Sequence, residues 1–352
     1  MTYDDFFETF MVRNVPCLIR DLINDWPAMT ELVSHQHEPN VAFFEGLKRA
    51  EIEVPVADCS SKYFNSQEKV CLSLQEYLSY WKDAKARQER MLYLKDWHFF
   101  KEFPHVNLYS TPSYFVSDWL NEYWASKSDD YRFLYLGPKG SWTPFHSDVF
   151  GSFSWSANVT GHKKWIFFPK DQEPKNVYDI LEIIPEGDLT DFSSKTHDDL
   201  QYFEIQQGPG EVIFVPSGWY HQVTNLTDTL SINHNWFNGT NIGFVLEQLK
   251  AELVKVQAEI SDCYEENNEE WRELCQKLLL ASHGMNYSSF IQLLQLVSQA
   301  RLAKSSDDKY IEYDLKQVQS VLLEMQKSCS QDLLECDTVI IEQELEKIQD
   351  HY

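Results

Sequence analysis

Apolar and polar positions follow different rhythms along this chain. In the middle third, YRFLYLG (131–137) is an aromatic and aliphatic run that stops at Gly137 and Pro138, and FGSFSWSANVTGHKKWIFFP (150–169) reads as two strands joined near Gly161. Val212 to Val215 form a short buried run, ended by the turn Pro216-Ser217-Gly218-Trp219. TLSINHNWF (229–237) then alternates, setting Asn233 and Asn235 on the face opposite to His234. From Asn241 the period changes: Ile242, Leu246, Leu249, Leu253, Val256 and Ile260 recur at spacings of 4, 3, 4, 3 and 4, which is the repeat of an amphipathic helix. Further helical stretches are predicted near 271–281, 286–303, 312–328 and 331–349. Residues 1–103 mix short helical and strand patterns. The pattern predicts a mainly β core with α: an α/β segment at 1–103 that packs on a barrel at 104–240, followed by a helical region at 241–352.

Composition narrows the class. A chain of 352 residues, 43% hydrophobic and 14% aromatic, can bury a sizeable core. Its formal charge of −25 disfavours nucleic acid and suits a basic polypeptide partner. No run approaches 18 apolar residues, and the acidic start MTYDDFFETF has no leader pattern, so no membrane association is expected. Seven cysteines, at 17, 59, 71, 263, 275, 329 and 336, form no CxxC pair; an odd count fits reduced thiols and a cytoplasmic, or nuclear, location.

The chemistry concentrates in SWTPFHSD (141–148). His146 and Asp148 stand two apart, the spacing that puts an imidazole and a carboxylate on one face of a strand. A distant histidine would complete the two-histidine, one-carboxylate face of a non-haem Fe(II) site. His221, just after the Pro216–Trp219 turn, is placed to do so; His162 beside Gly161 and His234 in the alternating strand are the competitors. The other HxD match, His197 and Asp199, falls in the polar stretch DFSSKTHDDL and reads as a solvated loop. In HKKWIFFP, either Lys163 or Lys164 faces inward, and a buried ammonium calls for an anion.

With VPCLIRDLINDWPA ahead of them, TPFHSD, SFSWSANVTGHKKWIFFP, GPGEVIFVPSGWYHQVTNL and SINHNWFNG follow in an order and spacing that resemble the Jumonji-C family of Fe(II)- and 2-oxoglutarate-dependent oxygenases. The resemblance implies a double-stranded β-helix, a cupin-like jelly roll. It implies His146, Asp148 and His221 as iron ligands and Lys163 as the partner of the distal carboxylate of 2-oxoglutarate. Thr143 and Asn235 are implied near the same cosubstrate. Ser156 stands where relatives often carry asparagine, so Asn158 or Tyr135 is available to take over that contact. Trp142 and Tyr220 are candidates for the substrate channel. The reaction implied consumes O2 and 2-oxoglutarate and yields succinate and CO2. The strings YLKDWHF (93–99) and SDWLNEYW (117–124) are most similar to a family member that hydroxylates a lysine of the translation release factor, which implies a lysine-containing loop of that factor as substrate. An Nε-methyl-lysine demethylase and a catalytically silent binding module are the competing readings, and a homodimer through the C-terminal helices is a further expectation.

Overall fold

The computed structural model describes residues 1–63, 66–170, 202–263, 269–304 and 308–351, and the pair His197 and Asp199 lies outside the described residues. The chain forms two compact units. The first comprises Met1–Val116, Asp130–Asp148 and Phe153–Asn235; the second comprises Ser117–Asp129, Val149–Ser152 and Trp236–Tyr352.

Two antiparallel sheets build the first unit. The larger contains β1 (Cys17–Ile19), β2 (Glu53–Tyr63), β3 (Ser66–Ser73), β4 (Leu92–Trp97), β5 (Arg132–Gly137), β7 (Phe153–Thr160), β10 (Val212–Val215) and β12 (Thr229–Trp236), in the order β1-β10-β7-β12-β5-β4-β2-β3. The smaller contains β6 (Trp142–His146), β8 (Lys163–Phe168), β9 (Phe203–Gln207) and β11 (Tyr220–Asn225), in the order β6-β11-β8-β9. Consecutive strands often belong to different sheets, which is the jelly-roll arrangement.

Strand alternation decides what each sheet turns inward. In β10 and β7, Ile213 lies opposite Ser156 and Val215 opposite Ser154. Ile213 and Val215 pack with Trp165, Phe167 and Val223 of the smaller sheet, so this face of the large sheet is the interior. Each such buried side chain contributes about 1.5–3 kcal/mol. The next residues along, Trp155 and Phe214, point the other way, where Phe115 stacks on Trp155 at 5.5 Å and Phe6 meets Phe214 at 5.3 Å. The same rule sends His234 outward, onto Trp155, and Ser231 inward.

The second unit is helical. Ile242–Glu259, Glu269–His283, Tyr287–Leu302, Lys309–Ser328 and Glu335–His351 follow one another, and Trp119–Ala125 packs on Tyr287–Leu302. Ile242, Leu246, Leu249 and Leu253 of the sequence repeat are buried, whereas Val256 is half-buried. The last helix starts at Glu335 rather than near 331, because the N–H groups of Asp332 and Leu333 turn back to the Cys329 carbonyl. Arg301 is fully engaged: Nη1 and Nη2 donate to Glu122 at 2.7 and 3.0 Å, and Nε donates to Asp314 at 3.0 Å. Burial pushes the Asp314 carboxyl up to about 6 against the pull of Arg301. Phe150 and Gly151 are both left-handed, at φ 59° and 63°, and a Cβ on Gly151 would lie 2.7 Å from Gln248 and 2.8 Å from Phe244. Among the described residues no helix is long and apolar enough to cross a membrane.

Gly161 carries the chain from β7 in one sheet to β8 in the other at φ 80°, and a Cβ there would lie 2.1 Å from the Asp228 carbonyl oxygen. Gly161→Ala combines a disfavoured backbone with a steric clash, so urea unfolding is expected to show a loss of about 2–3 kcal/mol.

Candidate metal centre

His146 ends β6, and β11 sets His221 directly across from it, just before the register shifts at Val223. The strand expectation for the HxD pair holds only for its first member, since Asp148 lies in the turn beyond β6. The turn nevertheless brings its carboxylate back: ligand atoms of His146, Asp148 and His221 all lie within 4.8 Å of one another. The two imidazole rings are 4.4 Å apart.

Hydrogen bonds fix the state of all three groups. His146 Nδ1 is 2.7 Å from the Pro144 carbonyl, and His221 Nδ1 is 3.1 Å from the Trp219 carbonyl. A carbonyl can only accept, so each Nδ1 carries a proton and Nε2 is the ring nitrogen each histidine offers to a metal. Asp148 is held at both oxygens, Oδ1 by Asn235 Nδ2 at 3.0 Å and Oδ2 by Ser154 Oγ at 2.8 Å. Burial first, and then the neighbouring His221, pushes the His146 imidazole below its usual range, which keeps it neutral. Two imidazoles offered through Nε2 and one anchored carboxylate form a donor set that fits iron(II).

Lys163 is the inward lysine, 2% exposed, while Lys164 is half-buried. Its Nζ donates to Ser231 Oγ at 2.7 Å and lies 6.0 Å from the centre of the Tyr135 ring. Burial alone drives this amine down to about 7. A cation left without a carboxylate in an apolar interior is suited to an anionic ligand that arrives from solution. Nearby, Ser156 Oγ is buried with no hydrogen-bond partner among the described residues. An orphaned hydroxyl and an uncompensated amine on facing sheets fit a dicarboxylate such as 2-oxoglutarate.

The remaining candidates fall into different places. Thr143 pairs with Val223 on the smaller sheet and is half-buried. Tyr135 lies opposite Ser231 in β5, and its hydroxyl donates to Asp96 Oδ1 at 2.6 Å. Asn158 Nδ2 donates to the Gly161 carbonyl at 2.7 Å, which ties down the turn, while its Oδ1 is buried with no hydrogen-bond partner among the described residues. His162 is exposed. His234 is buried on the outer face against Trp155, with Nε2 2.6 Å from the Tyr109 hydroxyl, so it packs the core. Trp142, expected as a channel candidate, is instead buried in a cluster with Ala57, Cys59 and Tyr93; its bulk fills space between strands. Tyr220 is half-buried and stacks on Phe145 at 5.3 Å.

Two contributors were missed by sequence reasoning. Ser154 and Ser231 share the inward register of Ser156 and Asn235, so strand alternation could have found them. Asp96 was suggested only by the resemblance of YLKDWHF, and alternation could not show its face, because it turns through φ 60° where β4 and β5 lose register between Leu94 and Trp97. Burial pushes its carboxyl up, but Lys95, the Tyr135 hydroxyl and Lys69 together outweigh burial and hold it below the usual range.

Asn235→Ala and Ser154→Ala each free one oxygen of Asp148, so iron(II) affinity, measured by competition with a chromophoric chelator, is expected to fall about 10- to 100-fold. The Lys163 amine supplies a second check. With a free-state value of about 7, it is mostly neutral at pH 8, and a bound carboxylate raises it again. Binding of 2-oxoglutarate at pH 8 therefore takes up close to one proton, about 0.9 by this arithmetic, and affinity weakens as pH rises above 7. Calorimetry in two buffers of different ionisation heat reads that uptake; Lys163→Met abolishes it.

A model of the cupin-like domain matches residues 3–241. The chain is 40% identical to the 2-oxoglutarate and iron-dependent oxygenase JMJD4 homolog of Drosophila melanogaster, over 90% of this chain and 84% of that protein. It is 39% identical to the 2-oxoglutarate and iron-dependent oxygenase JMJD4 of Homo sapiens, over 86% and 74% respectively. It is also 39% identical to a protein of Arabidopsis thaliana named arginine-specific demethylase JMJ20, over 88% and 71%. Together with an interior His-Asp-His cluster and a buried lysine beside it, these likenesses place the chain in the cupin-like Jumonji-C family of iron- and 2-oxoglutarate-dependent oxygenases.

Proposed function

We propose that this oxygenase hydroxylates a carbon of a lysine side chain in a translation release factor, in the cytoplasm. The observation that carries the proposal is the likeness of YLKDWHF, SDWLNEYW and the strings around the HxD pair to a family member with that activity. The net charge of −25 supports it, since a basic loop would be drawn to such a surface. The described cysteines, all free of disulfides, support a reducing compartment.

Bound iron(II) would supply the chemistry that couples oxidative decarboxylation of 2-oxoglutarate by O2, giving succinate and CO2, to insertion of the second oxygen atom into a substrate C–H bond. The residues that would hold them are His146, Asp148 and His221 for the metal, and Lys163 with Tyr135 and Thr143 for the cosubstrate. The chain's own work is binding, orientation and exclusion of water. Ser154 and Asn235 aim the Asp148 carboxylate. Trp165 and Phe167, 5.7 and 5.6 Å from the His221 ring, wall it off from solvent and raise the penalty for a misplaced charge. The protonated Lys163 amine anchors the distal carboxylate and so sets the angle at which the cosubstrate enters. No side chain is required to move a proton on or off the substrate.

The Arabidopsis relative's name favours a second reading, removal of a methyl group from an arginine. Hydroxylation of a side-chain methylene leaves a stable alcohol, whereas an N-methyl group once hydroxylated collapses to formaldehyde and the demethylated amine. Mass spectrometry of unmodified and methylated release-factor peptides after aerobic incubation with iron(II) and 2-oxoglutarate separates the two. The expected outcome is a gain of about 16 mass units on the unmodified lysine peptide; a loss of about 14 on a methylated peptide assigns the chain to demethylation.

A further inference from the structure

Asp96 holds the hydroxyl of Tyr135 with one carboxylate oxygen and has no hydrogen bond at the other among the described residues. Oδ1 accepts the Tyr135 hydroxyl at 2.6 Å; of the two lysines whose charge acts on the carboxylate, Lys95 and Lys69, Lys69 lies 3.8 Å from Oδ2 and its side chain is 77% exposed. Such a loose, solvated pair contributes little and is readily replaced. The Asp96 side chain is itself 38% exposed, so a ligand can reach it from outside. Through Tyr135, whose ring centre lies 6.0 Å from the Lys163 amine, it is also joined to the interior site. The backbone reaches this position only by turning through φ 60° inside a strand, a conformation that costs stability and re-aims the side chain.

We infer that Asp96 is the carboxylate that receives the cationic end of the substrate side chain. The inference rests on the hydroxylase reading above and names the group that would select its substrate. Holding the charge on Asp96 leaves the aliphatic stem as the part to be oxidised. The geometry favours an ammonium over a guanidinium. A guanidinium pairs best with both oxygens of a carboxylate, and Oδ1 is already taken by Tyr135; an ammonium, as a compact point charge, is satisfied by Oδ2.

The test measures binding without turnover. Whole protein loaded with iron(II) and 2-oxoglutarate is titrated anaerobically with fluorescein-labelled release-factor peptides carrying lysine, arginine or norleucine at the target position, and with a degenerate peptide pool carrying the same three centres. Asp96→Asn is the variant, since asparagine tolerates the left-handed backbone and its Oδ1 still accepts from Tyr135. Wild type is expected to bind lysine about tenfold more tightly than norleucine, with arginine between them, and Asp96→Asn to lose that preference while binding norleucine as wild type does. Unchanged norleucine binding also reports that the variant is folded. A lysine preference that survives Asp96→Asn overturns the inference, as does wild type that does not distinguish lysine from norleucine in either set. Equal weakening of all three peptides also overturns it, because Asp96 would then act by holding Tyr135. An Asp96-dependent lysine preference with no mass gain after O2 is admitted leaves the cation subsite standing and removes the hydroxylase reading.

Discussion

Desolvation governs this molecule. Two sheets close on Trp165, Phe167, Ile213, Val215 and Val223, and any polar group left between them loses its water. That loss keeps the His146 imidazole neutral with a lone pair to give, and it holds the Lys163 amine at about 7, ready to take a proton when a carboxylate arrives. The same apolar interior that stabilises the fold thus prepares both halves of the site. Neither property requires a dedicated charge partner, and an added carboxylate near Lys163 would cancel the second.

The first unit delivers the ligands from separate strands. His146 and His221 come from neighbours in the smaller sheet, while the groups that steady Asp148 come from β7 and β12 of the larger. A site assembled from both sheets depends on their packing, so the core and the metal centre share one set of contacts. In the second unit a different logic holds: the buried guanidinium of Arg301 is matched by Glu122 and Asp314, and charge satisfaction there replaces the open valences of the barrel.

Much of this was legible in the sequence because strand alternation is a strong constraint. The runs 131–137, 150–169 and 229–237 each became strands of the sheets, and the helical repeat from Ile242 became a helix. The alternation also separated His234 from Ser231 and Asn235. What it could not supply were the contacts themselves: that Lys163 meets Ser231, that Asn235 holds Asp148, or that Asn158 donates to the Gly161 carbonyl. Trp142 shows the limit from another side. Its neighbours in sequence line the site, but its partners Ala57, Cys59 and Tyr93 come from strands far away in the chain, and volume filling decided where the ring went. Asp96 was visible through resemblance alone, because a single left-handed residue breaks the period that would have revealed its face.

The two histidines are oriented by main-chain carbonyls, at Pro144 and Trp219, each two residues upstream. A carbonyl is present whatever side chain the residue bears. Sequence drift at those neighbouring positions therefore leaves the imidazoles aimed as before, provided the backbone path is kept. Asp148 has no such insurance: its two supports are the side chains of Ser154 and Asn235. In a chain that retains the histidines but has replaced that serine and asparagine, the carboxylate would be the ligand free to swing, so the pair to inspect in a divergent relative is the supporting one rather than the HxD motif itself.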